Sequence, residues 1–263
     1  MALSLFKIEP LDCGFKGTLP LFTSYAQCIR VAMVGELLSN PKKMPEYAFN
    51  IPAQECKAGK YMVDIEKSIC HDCYALPEFN EDGSVNLHSS NGGRYRFDPT
   101  QRAMYLRYNF AVFNPNFVPV MTYAITMNIK RKFRWFDSGD IQSEKMLDDI
   151  CQICRNTPNV LHWLPTKEHK IVKRYIEAGN KIPDNLDLRL SALFKSNTSV
   201  RRVTKLAIRL GLNTATVLPP DEWEKADHSI TSFKCMSSKQ GNKCLKCKAC
   251  WTHKVLNVVY KEH

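Results

Sequence analysis

A chain of 263 residues, 44% hydrophobic and 24% charged, is long enough to bury one large core and too apolar to stay disordered. No apolar run reaches the roughly 18 residues of a membrane span, and the N-terminus, MALSLFKIEPLDCGF, lacks the basic region and long apolar core of a secretory signal. A formal net charge of +11, dense at Lys130–Arg134 and Arg201–Lys205, fits a polyanionic partner such as DNA or RNA, beside the plainer reading of a basic surface that binds nothing anionic.

Eleven cysteines without a signal peptide point to a reducing compartment, the cytoplasm (of the host cell if the chain is phage-encoded), where thiols bind metal more often than they pair. The odd count also argues against a complete disulfide framework.

In chain order, residues 1–46 read as an irregular N-terminal segment with one helix, Tyr25–Leu38, in which Ile29, Val31, Val34 and Leu37 keep helical spacing. Tyr47–Ala53 reads as a short strand leading to the first cysteine loop. Asn80–Arg96 is rich in Gly, Ser and Asn and reads as a loop or small hairpin. Pro99 opens a helix over Thr100–Phe113, and Phe117–Lys130 forms another.

Strand and helix then alternate. Strands are expected at Phe133–Ser138, Val160–Thr166, Leu186–Ala192 and Asn213–Leu218, with helices at Ser143–Arg155, Lys167–Ala178 (closed by Gly179) and Ser199–Leu210 (closed by Gly211). Such alternation implies right-handed crossovers and a parallel sheet. Residues 47–230 are therefore expected to form an α/β core, a partial or complete parallel (β/α) barrel. Residues 231–263 would be a small cysteine-rich extension with strands near Ile230–Lys234 and at Val255–Tyr260, the latter at an edge.

Seven cysteines fall in two short polar, lysine-rich loops. Cys244-x2-Cys247-x2-Cys250 repeats the spacing of ferredoxin loops, and Cys235 upstream supplies a fourth thiolate for a [4Fe-4S] cluster; zinc is the alternative. The first loop has three, Cys56, Cys70 and Cys73, which leave one coordination position open, as catalytic metals do; His71 or Asp72 could instead close a structural zinc site. Cys151 and Cys154, one helical turn apart beside Ile150 and Ile153, read as core packing, as do Cys13 and Cys28.

Ligands of parallel sheets bind outside the carboxyl ends of the strands. Those ends present Ser138-Gly139-Asp140, Thr166-Lys167-Glu168-His169, Ser191 and Leu218-Pro219. Gly139 would let a ligand approach the backbone. Asp140 would either meet a ligand amine or metal, or cap the helix beginning near Gln142. His162, within an apolar strand, reads as a core histidine, and His169 as exposed. No hydrolase triad signature, phosphate-binding Gly-Lys-Ser loop or His-Glu-x-x-His helix is present.

The order Cys70–Ala75, Trp135–Asp140, Trp163–Lys167, Leu190-Ser191, Cys235–Trp251 and Val258–His263 resembles the phage gene product 88-like family, over roughly residues 47–263. The layout is also similar to that of radical S-adenosylmethionine (SAM) iron–sulfur enzymes, whose first gap between cysteines is three residues where this chain has thirteen. That resemblance implies a [4Fe-4S] cluster on Cys56, Cys70 and Cys73, SAM held by Gly139, Asp140, Ser191 and Tyr74, and a second cluster on Cys235, Cys244, Cys247 and Cys250. Its substrate would be a nucleic acid or nucleotide-related molecule undergoing modification. The competing expectation is a non-enzymatic, zinc-stabilised phage protein that binds nucleic acid or protein.

Overall fold

The computed structural model describes residues 22, 24–226 and 232–262. Seven strands pair in parallel in a single sheet: β1 (Ala48–Phe49), β2 (Lys132–Trp135), β3 (Leu161–Thr166), β4 (Leu186–Ser191), β5 (Asn213–Leu218), β6 (Phe233–Lys234) and β7 (Asn257–Lys261). Their order is β1-β2-β3-β4-β5-β7-β6. Among the described residues the sheet is open, ending at β1 and β6, and the expected parallel α/β core is present.

The last strand is not the edge. β7 pairs with β5 on one side and with β6 on the other. Its composition explains the position: Val258 and Val259 point to opposite faces and both are buried, as an interior parallel strand requires, whereas Phe233 and Lys234 are only half-buried.

Helices α1 (Tyr25–Ala32), α2 (Lys57–Met62), α3 (Asp98–Phe113), α4 (Phe117–Asn128), α5 (Glu144–Asn156), α6 (His169–Glu177), α7 (Asn197–Leu210) and α8 (Pro220–Lys225) fill the connections. α1 is shorter than its periodicity predicts. Met33 turns left-handed (φ 56°) and its N–H closes on Arg30 O and Ile29 O, so Val34, Leu37 and Leu38 enter the core from an irregular segment. β1 is cut to two residues, although the ladder runs on through Phe136 N–H to Phe49 O (2.7 Å) and Ile51 N–H to Ser138 O (3.1 Å). The stretch 80–96 is mostly loop, closed at its start by one antiparallel bridge between Phe79 and Val85 and ending in a 3-10 turn, Gly93–Arg96.

Period-2 alternation sorts the strands into two faces. Phe133, Trp135, Leu164, Leu186, Leu188 and Leu190 join the main core with α4, α5 and α6. Cys28, Cys151 and Cys154 are fully buried there, as expected of packing cysteines; Cys13 lies outside the described residues. His162 is also buried, stacked on Trp135 and bonded through Nε2 to Thr157 Oγ1 (2.9 Å). Burial drives its pKa down to about 3, so the ring is a neutral core histidine.

The opposite face carries Arg134, Trp163, Arg189 and Ala215. There the C-terminal segment packs as a second core of Ala249, Cys250, Trp251 and Val255 against Trp163, Val258 and Met44. Trp251 meets Trp163 edge-to-face (5.2 Å) and donates Nε1–H to Phe133 O (3.1 Å). Arg189 ties this layer down from beneath, pairing with Asp187 (2.6 Å) and donating to Ala249 O and Thr252 O.

Candidate functional site: a cysteine-lined cavity

The first cysteine loop is organised by a buried serine. Ser68 Oγ–H donates to Met62 O (2.7 Å) and accepts from the N–H groups of Cys70 (3.2 Å) and His71 (3.0 Å), so the chain doubles back after α2 and brings Cys70 and Cys73 towards Cys56. Cys56 precedes α2 in extended backbone. A Cβ at Gly59 would lie 2.9 Å from Cys56 Cβ, so the glycine makes room for that thiol. Glu168 at the start of α6 accepts Ala58 N–H (2.6 Å), fixing α2 to the end of β3.

In the second loop, Cys235 N–H donates to Val259 O and Cys244 N–H to Lys43 O, at 2.8 and 2.9 Å. Between Cys244 and Cys247, Leu245 adopts φ 46°, a strained conformation for a bulky residue, and Cys247 N–H closes that turn on Cys244 O (3.0 Å). Cys250 is buried, its Sγ 3.0 Å from Tyr260 Oη, and burial pushes its thiol up to about 12.

Both loops open on one cavity of about 1060 Å³ at the carboxyl ends of the strands. Cys56, Cys70 and Cys73 line it from one side, and Cys235, Cys244 and Cys250 from the other; Cys247 is exposed outside it. Tyr74, Gly139, Asp140 and Ser191, the other residues singled out in the sequence, line the same space.

Two expectations are corrected here, the capping role of Asp140 and the exposure of His169, and other residues gain local roles. The helix after Asp140 is capped by Ser143, whose Oγ accepts Met146 N–H (3.1 Å), not by Asp140. Asp140 is buried and holds two strand ends together: Oδ1 accepts Thr166 Oγ1–H (2.6 Å) and Ile141 N–H (2.8 Å), and Oδ2 accepts Lys167 N–H (2.8 Å). Burial raises its pKa against these hydrogen bonds. Gly139 sits at φ 84° and a Cβ there would come within 2.2 Å of Ile51 Cγ1, so the glycine is demanded by the neighbouring strand whatever enters the cavity. His169 is half-buried rather than exposed, with Nε2 bonded to Ser191 O (2.8 Å). His71 and Asp72 are engaged elsewhere, His71 with Val63 O (2.8 Å) and Asp72 with Lys195 (2.9 Å).

Other residues emerge only in three dimensions. Lys167 lies among the first cysteines. Burial works to lower its pKa, but Cys70, Cys73, Asp140 and Cys56 outweigh it and the net shift is upward, which keeps the ammonium charged. The Cys56 thiol is pushed up by burial and by Asp140, with Lys167 opposing. Asp137, buried, is gripped by Ser39 Oγ (3.1 Å), Arg94 (2.9 Å) and Tyr95 Oη (3.0 Å), while Tyr74 Oη donates to its carbonyl. Phe136 at φ 56° produces the turn that presents residues 137–140 to the cavity. The strand-end rule points to Lys167; nothing local announces that Arg94 and Tyr95 come from the glycine-rich loop to meet Asp137.

Among the described residues no three His, Cys, Asp or Glu side chains form the tight array of a single bound ion. Cys56, Cys70 and Cys73 nevertheless line one side of the cavity together, with the Lys167 ammonium in the field of all three.

An open parallel sheet with two sets of thiols, a central lysine and strand-end acids on one cavity defines the class: an α/β protein with a cysteine-lined cavity at the carboxyl ends of its strands. The model of the family described as Gene product 88 matches residues 24–253, and the chain belongs to that family of phage proteins. No curated protein and no solved structure matches it. No described helix is long and apolar enough to cross a membrane.

Proposed function

We propose that this protein is an iron–sulfur enzyme of the radical SAM type. The observation that carries the reading is that Cys56, Cys70 and Cys73 share one cavity at the carboxyl ends of parallel strands with Cys235, Cys244 and Cys250 of the second set, together with Asp140 and Ser191. Cys56, Cys70 and Cys73 would hold a four-iron cluster, and Cys235, Cys244, Cys247 and Cys250 an auxiliary one. Such a cluster, with SAM bound, would supply one-electron reductive chemistry at the sulfonium.

The chain's own contribution is binding, orientation and exclusion of water. Lys167 offsets thiolate charge. Asp140 locks β2 to β3 and, with one acceptor direction on Oδ2 uncommitted, can receive an amine. Ser138 Oγ is buried without a hydrogen-bond partner beside it, an unsatisfied group that a ligand would satisfy. Trp163, Phe136 and Tyr74 wall the cavity with aromatic surface.

A nucleic-acid substrate is favoured by α7. Arg201, Lys205 and Arg209 recur every fourth residue on its exposed side with Arg202 beside them, and none forms an ion pair with a described residue. α5 and α6 instead carry opposite-charge pairs, Lys145–Asp149 and Lys173–Glu177. Like charges at this spacing destabilise a helix, and phosphates would relieve them.

The test is iron, sulfide and zinc content with a visible spectrum on protein purified without oxygen, followed by SAM binding and cleavage. About eight irons with matching sulfide and SAM cleavage are expected. Zinc without iron overturns the reading and leaves a metal-stapled binding protein.

A further inference from the structure

Three arginines are drawn into the interior, and two are well supplied with acceptors. Arg107 donates to Asn50 O, Asn50 Oδ1 and Glu36 O. Arg189 meets the Asp187 carboxylate and three carbonyls, and only its Nε has no acceptor among the described residues. Arg134 is different. It lines the cavity from β2, and the one hydrogen bond its guanidinium makes to a described residue is a weak one, from Nη1 to Met44 Sδ (3.3 Å).

No described carboxylate lies within ion-pair distance of Arg134, since Asp137, the nearby acid, is committed to Arg94 and Tyr95. The guanidinium carbon sits over the Trp163 ring, 4.5 Å from its centroid, so the group is positioned before anything binds. Both Arg134 Nε and Trp163 Nε1 are buried donors without an acceptor. A cation that lines a cavity, with a thioether as the only described acceptor for its guanidinium, calls for an acceptor that carries negative charge.

The geometry points to Arg134 as the anchor for an oxyanion, a carboxylate or phosphate group of a small molecule held in the cavity between the two cysteine loops. A guanidinium presents a planar fork that matches both groups, and a half-buried position with little competing water strengthens the contact. The assignment does not depend on which metal the cysteines hold. The oxyanion can belong to the carboxylate of SAM or to the substrate.

The experiment uses full-length protein purified without oxygen, with its native metal content, and follows the shift in melting temperature and calorimetric binding. The probes are inorganic phosphate, malonate and S-adenosylhomocysteine, each against chloride at equal ionic strength. Wild type is expected to bind at least one probe. Arg134→Gln should lose that binding at least tenfold, and Arg134→Lys, which keeps the charge without the fork, should lose less. Loss confined to S-adenosylhomocysteine assigns the anchor to the SAM carboxylate, and loss for phosphate or malonate assigns it to the substrate. Circular dichroism and metal content, unchanged in Arg134→Lys, exclude misfolding as the cause. Unaltered binding in both variants, or no response of wild type to any probe, overturns the assignment and leaves Arg134 as a counter-charge to the Cys244 side of the cavity.

Discussion

Asp140 and Lys167 are joined main chain to side chain: Lys167 N–H donates to Asp140 Oδ2 at 2.8 Å, while the Lys167 ammonium lies in the field of the same carboxylate and of three thiols. Asp140 thus does two things, closing β2 onto β3 and setting the charge of the cavity. Asp140→Ala would leave Thr166 Oγ1, Ile141 N–H and Lys167 N–H without their acceptor in a buried site, at about 1–3 kcal/mol for each group not rescued by water. Urea denaturation should show a loss of about 3 kcal/mol or more. Asp140→Asn keeps the shape and one acceptor, so it is expected to retain metal while SAM binding is lost; normal SAM binding would sink the role given to Asp140.

Arg189 is the keystone between the sheet and the C-terminal layer. It and Asp187 are both buried, and their 2.6 Å contact is extended by the Ala249 and Thr252 carbonyls on either side of Cys250 and Trp251. Removing one partner of such a pair strands the other charge and costs about 3–5 kcal/mol. Arg189→Met should therefore destabilise by that amount. The double variant with Asp187→Asn should recover part of the loss, a non-additivity read from a double-mutant cycle. Metal bound by the second cysteine set should fall while that of the first is retained. Equal loss from both sets would show that the effect is global unfolding.

The fold was legible because parallel strands and their helices announce themselves through local periodicity. Asn213–Leu218 is a strand over the expected residues, and Gly179 and Gly211 end their helices in left-handed conformations. What periodicity does not encode is strand order, so the insertion of β7 between β5 and β6 was hidden, as was the early stop of α1 at Met33. The cysteines were visible as spacing, but their convergence on one cavity is a product of tertiary structure. Arg134 and Arg189 did leave a trace, as charges alternating with apolar residues inside FRW and LDLRLS. Such a charge marks an inward face that is not a hydrophobic core.

His162 makes stability depend on acid. Its folded pKa is about 3, against an ordinary value of 6.5, because the ring is buried and neutral between Trp135 and Thr157. A depressed folded pKa leaves stability intact above pH 6.5. Stability is lost as pH falls from there towards 3, because the unfolded chain takes up the proton first. The slope approaches about 1.4 kcal/mol per pH unit. His162→Gln should be less stable than wild type at pH 7, and the gap should narrow with that slope between pH 6 and pH 4. A constant gap in urea titrations across this range would mean that the ring is not held neutral.

The basic side of α7 gives the sharpest test of a nucleic-acid partner. Each phosphate contact to a single strand contributes about 0.7 to the slope of log affinity against log salt. Exchanging Arg201, Lys205 and Arg209 for Gln should therefore lower the slope for a single-stranded oligonucleotide by about 2, measured by fluorescence anisotropy over a salt series. The side chains are exposed and unpaired with any described residue, so unfolding should not confound the result. Metal content should also be unchanged, because α7 contributes no cysteine. A slope that stays constant while affinity is retained would place the nucleic acid on another surface. Absence of binding by wild type would overturn the reading of α7 as a nucleic-acid surface.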